Sequence, residues 1–122
     1  QAQFNKDIRE FYEPIVLVEN EDLKISAISV QYLNDYGVIE LILENKSNKL
    51  VSISLDKLFF SGIEIEALIS CDIPPKSSSN EYIYEYIYIE SINSLEDFND
   101  KIEGTFNTLN TIKDKYDFMF KG

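Results

Sequence analysis

A chain of 122 residues with 44% hydrophobic residues has the length of one domain and enough apolar side chains to bury a core rather than stay disordered. Its net charge of −11 argues against nucleic acid, whose phosphates need Lys and Arg, and against adsorption to an anionic lipid surface. Histidine is absent and cysteine occurs once, at Cys71, which removes Ser-His-Asp and Cys-His catalysis, the usual zinc sites and an internal disulfide.

The four glycines, at 37, 62, 104 and 122, are too scattered for a phosphate-cradling loop, and no cofactor is expected. No window holds about 18 consecutive apolar residues, the length of a membrane-crossing helix. The opening at Gln1 rather than Met leads us to expect a removed upstream segment. Usage rich in Ile, Asn, Lys and Glu, with Arg9 as the only arginine, reads as the codon bias of an AT-rich bacterial genome.

In chain order, residues 1–13 are polar, with Phe4, Ile8 and Phe11 at near-helical spacing. They read as a tether or a short helix that Pro14 closes, because proline disfavours helix in the residue before it. The remaining domain, 14–122, reads as β. "PIVLVEN" is an apolar run. In "LKISAISVQYL" the alternation Leu23, Ile25, Ala27 shifts phase to Ile28, Val30, Tyr32, the mark of a β-bulge. "NDYG" (34–37) signals a turn. "VIELILEN" sets Ile39, Leu41 and Leu43 against Glu40 and Glu44, and "LVSISLD" sets Val51, Ile53 and Leu55 against Ser52 and Ser54. These six apolar residues are expected to be buried.

Gly62 marks the next turn, and "IEIEALIS" alternates again. "LISCDI" places Cys71 as a buried, inert thiol in a strand. "PPKSSSN" (74–80) reads as a loop. "NSLEDFNDK" (93–101) is the best helical candidate, with Ser94 and Asp97 in a capping-box arrangement. "IEGTFNTLNTI" and "KYDFMFKG" close the chain as strands. The expected fold is therefore an all-β antiparallel sandwich of 7–8 strands with one short helix near 94–100.

The most unusual stretch is "EYIYEYIYIE" (81–90). Tyr82, Tyr84, Tyr86 and Tyr88 alternate with Ile83, Ile87 and Ile89, so one face of a strand carries the phenols. The isoleucines have the stronger claim on the core, which sends the tyrosines outward. They then serve either as cross-strand packing or as an aromatic platform for a protein, peptide or glycan. A cationic peptide or a sugar suits such an acidic, aromatic surface.

Carboxylate pairs are the remaining chemistry. Glu64 and Glu66 share a face, as do Glu40 and Glu44, and a glycosidase needs two such groups across a cleft. The alternative reading is accordingly a carbohydrate-processing enzyme. "DFNDKIE" (97–103) does not follow the EF-hand pattern, since Lys101 and Ile102 occupy positions for an oxygen ligand and glycine. Asn45-Lys46-Ser47 matches the N-glycosylation sequon, a short motif of low specificity.

The order "LENKSNK" (43–49), "VSISLDKLFFSG" (51–62), "CDIPPKSSS" (71–79) and "SLEDF" (94–98) resembles an immunoglobulin-like domain of secreted and lipid-anchored proteins of Gram-positive bacteria. The pattern covers about four-fifths of the chain, from Val16 onward. The resemblance implies an extracellular or cell-surface location, an upstream lipid anchor and no catalytic motif. The long tyrosine strand departs from the shorter Ser/Thr-rich strand of that group. The lead expectation is a non-enzymatic binding or structural module with the tyrosine strand as its surface.

Overall fold

The computed structural model describes residues 4–34, 36–60, 62–65, 69–86, 101–109 and 114–121. They form nine strands: β1 (Phe4–Glu19), β2 (Leu23–Asn34), β3 (Tyr36–Asn45), β4 (Val51–Phe60), β5 (Ile63–Ile65), β6 (Ser70–Ile73), β7 (Ser77–Tyr86), β8 (Lys101–Leu109) and β9 (Lys115–Lys121). One sheet has the order β1-β2-β3-β7. The other has the order β5-β4-β8-β9, with β6 paired to the same side of β4 as β5 but further along. Every pairing is antiparallel. The short helix expected near 94–100 lies outside the described residues.

The two sheets share one apolar core and build a sandwich-like, all-β architecture. Leu23, Ile25, Ala27 and Val30 of β2 and Ile39, Leu41 and Leu43 of β3 meet Val51, Ile53 and Leu58 of β4, Ile102 and Phe106 of β8, and Tyr116, Phe118 and Phe120 of β9. Each fully buried Leu or Ile contributes about 1.5–3 kcal/mol. Of the six residues expected inside, Leu55 alone is only partly buried. The β4–β8 register shifts between Leu55 and Lys57, so one residue of β4 is unmatched and the inward phase passes to Leu58.

The phase shift in β2 is a bulge. Ala27 pairs with Leu41 and Ser29 with Glu40, leaving Ile28 without a partner in β3, and Val30 then returns to the core. Opposite this point β1 is also irregular: Glu10 pairs with Ser29 and Ile15 with Ala27, so residues 11–14 loop out of register. Pro14 sits there, on an edge strand, where its missing N–H costs no ladder bond. This corrects the reading of 1–13 as a tether or short helix. From Phe4 onward the segment is strand, and the proline interrupts the register without ending the element.

The "PPKSSSN" loop is also shorter than expected. Only 74–76 connect β6 to β7, and Ser77–Asn80 pair with Asn45–Ile42 of β3. Lys76 makes this tight turn in the left-handed region, at φ 56°. The turn is tied to the crossing from β3 to β4, at 46–50. Lys76 donates from its backbone N–H to Ser47 O at 3.2 Å and from Nζ to Lys46 O at 2.6 Å.

Asn45 completes this lacing. It is 1% exposed. Its Nδ2 donates to the carbonyls of Lys49 (2.6 Å), Ile73 (2.9 Å) and Pro74 (3.2 Å), and its Oδ1 accepts from the backbone N–H and Oγ of Ser47. The Asn-Lys-Ser match is thus a structural joint in the folded domain, its amide committed to three buried or half-buried carbonyls.

Candidate functional site

The tyrosine strand is β7, at the outer edge of its sheet. Its register with β3 is unbroken: Ser79 pairs with Leu43, Glu81 with Leu41 and Ile83 with Ile39, while Asn80 pairs with Ile42, Tyr82 with Glu40 and Tyr84 with Val38. Leu43, Leu41 and Ile39 belong to the core. Opposed residues in an antiparallel ladder point to the same face, so Tyr82 belongs to the outer face with Glu40. It is 43% exposed. Tyr84 and Tyr86 follow in the same ladder, the latter opposite Tyr36. Tyr88 lies outside the described residues.

Glu40 is the polar centre of this face. Its Oε2 accepts from Asn80 Nδ2 at 3.2 Å and from Tyr82 Oη at 3.3 Å, and its Oε1 accepts from Ser29 Oγ at 3.4 Å. The bonds are long and individually weak. They draw β2, β3 and β7 together at one carboxylate, and all three donors are neutral. Toward the other end of β3, Glu44 pairs with Lys24, and Lys24 with Glu19. The face therefore grades from an aromatic, amide-lined end to a mixed-charge end.

On the core side of the same strand, half-buried Glu81 accepts from Ser79 Oγ at 2.7 Å. This is how an acid is accommodated in the inward-facing row of β7: the row runs out at the sheet edge, where water reaches it.

Cys71 lies in β6, opposite Ile53. It is half-buried against the core rather than fully buried. Burial, followed by the negative charges of Glu81 and Asp72, pushes its thiol up to about 11. The thiol keeps its proton at neutral pH and is a poor nucleophile there.

A second concavity, which the sequence did not signal, forms where β1 and β9 meet at the rim of the sandwich. Leu17, Val18, Glu19, Asn20, Glu21, Tyr116 and Asp117 line an open cleft of about 440 Å³. Asn20 shapes it. Its Oδ1 accepts from the backbone of Asp22 and Leu23 to close the β1–β2 turn, and its Nδ2 donates to Tyr116 Oη at 3.0 Å across the two sheets.

Of the carboxylate pair proposed for catalysis, Glu64 is exposed on β5 and Glu66 lies outside the described residues. Among the described residues no group of three or more His, Cys, Asp or Glu is placed to hold a metal ion, and no helix is long and apolar enough to cross a membrane. No protein-family model matches this chain, and no curated protein is detectably similar to it.

Proposed function

We propose that the domain is a non-enzymatic binding or structural module displayed outside the cell, and that it uses the outer face of β7 and β3 to engage a protein, peptide or glycan. The observation that carries this reading is the exposed Tyr82 on the Glu40 carboxylate, beside the exposed Asn80. A phenol, an amide and a carboxylate with no ion pair among the described residues supply ring surface and directional hydrogen bonds to a partner.

An immunoglobulin-like kinship is part of the same proposal, and the strand order supports it. With β1 set aside as an added edge, β2-β3-β7 against β5-β4-β8-β9 follows the A-B-E and C′-C-F-G orders of such sandwiches. In this reading β6, the counterpart of strand D, has moved to the opposite sheet, which leaves β7 at the edge.

The test is capture from cell-envelope fractions by the immobilised domain, with Tyr82→Ala/Tyr84→Ala beside wild type. The reading predicts that the double variant stays folded and loses the captured partner. Undiminished capture by the folded variant removes the tyrosine face as the site.

A further inference from the structure

The four boundary regions of the two sheets are not equally protected. An exposed strand edge is a template for pairing with another chain, and proteins blunt such edges with proline, bulges, short strands, lysine and inward-pointing charges. β1 carries Pro14 and three register shifts. β9 begins and ends with Lys115 and Lys121. β5 and β6 are three and four residues long. Of these devices β7 carries only the acid of its inward row, Glu81, which a partner strand must meet. It runs for ten residues in unbroken register with β3 and contains neither proline nor lysine. No described strand pairs with its other side. Between Ser78 and Glu81, the backbone hydrogen bonds among the described residues belong to the β3 ladder.

We propose that this edge is a self-association surface: a second copy of the chain adds its β7 antiparallel to the first, about a two-fold axis through Asn80. The strand's own sequence argues for this occupant. Directly opposed residues point to the same face, so the two-fold must pass through a residue and not between two. An axis through Glu81 stacks carboxylate on carboxylate, which is unfavourable. An axis through Asn80 sets Glu81 of each strand opposite Ser79 of the other, and Ser78 opposite Tyr82. Ser79 Oγ already donates to Glu81 within one strand at 2.7 Å. The paired strands offer the same hydroxyl and carboxylate to each other twice, and the Asn80 amides meet at the centre.

Each copy brings a net charge of −11. Their mutual repulsion is screened by salt, so the self-association strengthens with ionic strength. A basic foreign strand on the same edge would show the opposite dependence. The proposal concerns the edge of β7 and is independent of the binding assigned above to its face.

Sedimentation velocity over a range of concentrations, at low and at high sodium chloride, tests it. Wild type should show a monomer–dimer equilibrium that shifts toward dimer with salt. Ser79→Glu places like charges opposite at both ends of the pairing and should weaken the dimer by at least about tenfold. Ser79→Lys faces Glu81 of the other copy and should hold the dimer at low salt, where wild type dissociates. Circular dichroism checks that each variant folds. If Ser79→Glu does not fold, Asn80→Lys sets two cations against each other at the axis and serves the same purpose. A wild-type chain that stays monomeric at every salt, or a folded Ser79→Glu variant that dimerises like wild type, overturns the proposal.

Discussion

Tyr82 and Glu40 face each other across the ladder between β7 and β3, with the phenolic oxygen 3.3 Å from the carboxylate. The contact is one of three neutral donors converging on Glu40, and it holds the ring against the sheet with much of its surface still in solvent. Tyr82 is 43% exposed, so a partner can reach it.

Removing only the phenolic oxygen should therefore cost little. Tyr82→Phe is expected to lower stability by less than about 1 kcal/mol in urea unfolding, because a long, partly solvated hydrogen bond contributes little net free energy. A loss of several kcal/mol would mean that the oxygen is a buried structural group and that the exposed face is misassigned.

Asn45 is the opposite case. Asn45→Ala removes the amide that reaches the carbonyls of Lys49, Ile73 and Pro74 at the joint between the two crossings; Ser47 Oγ still reaches Lys49 O and Ser77 Oγ still reaches Pro74 O, so the loss falls on Ile73 O. The expected cost is about 1–3 kcal/mol, the penalty of leaving one buried acceptor short of its donor. The denaturation midpoint reads it, and a shift within error of zero would show that the two crossings hold without this joint.

Gly104 fills a similar role through its lack of a side chain. A Cβ there would lie 2.5 Å from Lys57 O and 2.7 Å from the Phe118 ring, which itself stacks on Phe106 at 4.7 Å. Gly104→Ala should destabilise by about 1–3 kcal/mol, as overpacking of a filled core does. Thermal melting measures it; an unchanged melting temperature would mean that the ring is not seated on the glycine.

Cys71 predicts a pH dependence. Its pKa is raised in the folded chain from an ordinary value of 9.0 to about 11. The folded state then binds the proton more tightly than the unfolded state. The associated stability is fully present below about pH 9 and is lost as pH rises toward 11. Cys71→Ser should flatten that part of the stability–pH curve relative to wild type, and alkylation of wild type by iodoacetamide at pH 8 should lag that of the unfolded chain. Identical curves for the two proteins between pH 8 and 11 would contradict the assignment.

Much of the fold was legible because its signals were local. The alternation at Ile39, Leu41 and Leu43 and the phase shift from Ala27 to Val30 both follow from the two-residue period of a strand, and burial respects them. The errors came where tertiary pairing overrode local preference. Pro14 signals the end of an element, but on an edge strand beside a bulge it is tolerated, and β1 runs through it. Ser77–Asn80 have turn-forming side chains, but β3 offers them a ready ladder.

The candidate site was half legible. Tyr82 faced outward as its alternation required, whereas its partner Glu40 could not be named, because register between β3 and β7 is set by a crossing some thirty residues long in sequence (Asn45 to Ser77). The cleft at Asn20 and Tyr116 was invisible for the same reason: it exists only once β9 is packed beside β1.

The central claim is that β7 presents tyrosine to solvent on an outer sheet face. Photochemically induced nuclear polarisation with a flavin dye enhances only those tyrosine rings that the dye can touch, so it reads the claim directly. We expect a strongly enhanced Tyr82 resonance, assigned by its loss in Tyr82→Phe, and none from Tyr116, which is 7% exposed. A wild-type spectrum without the Tyr82 signal would contradict the account.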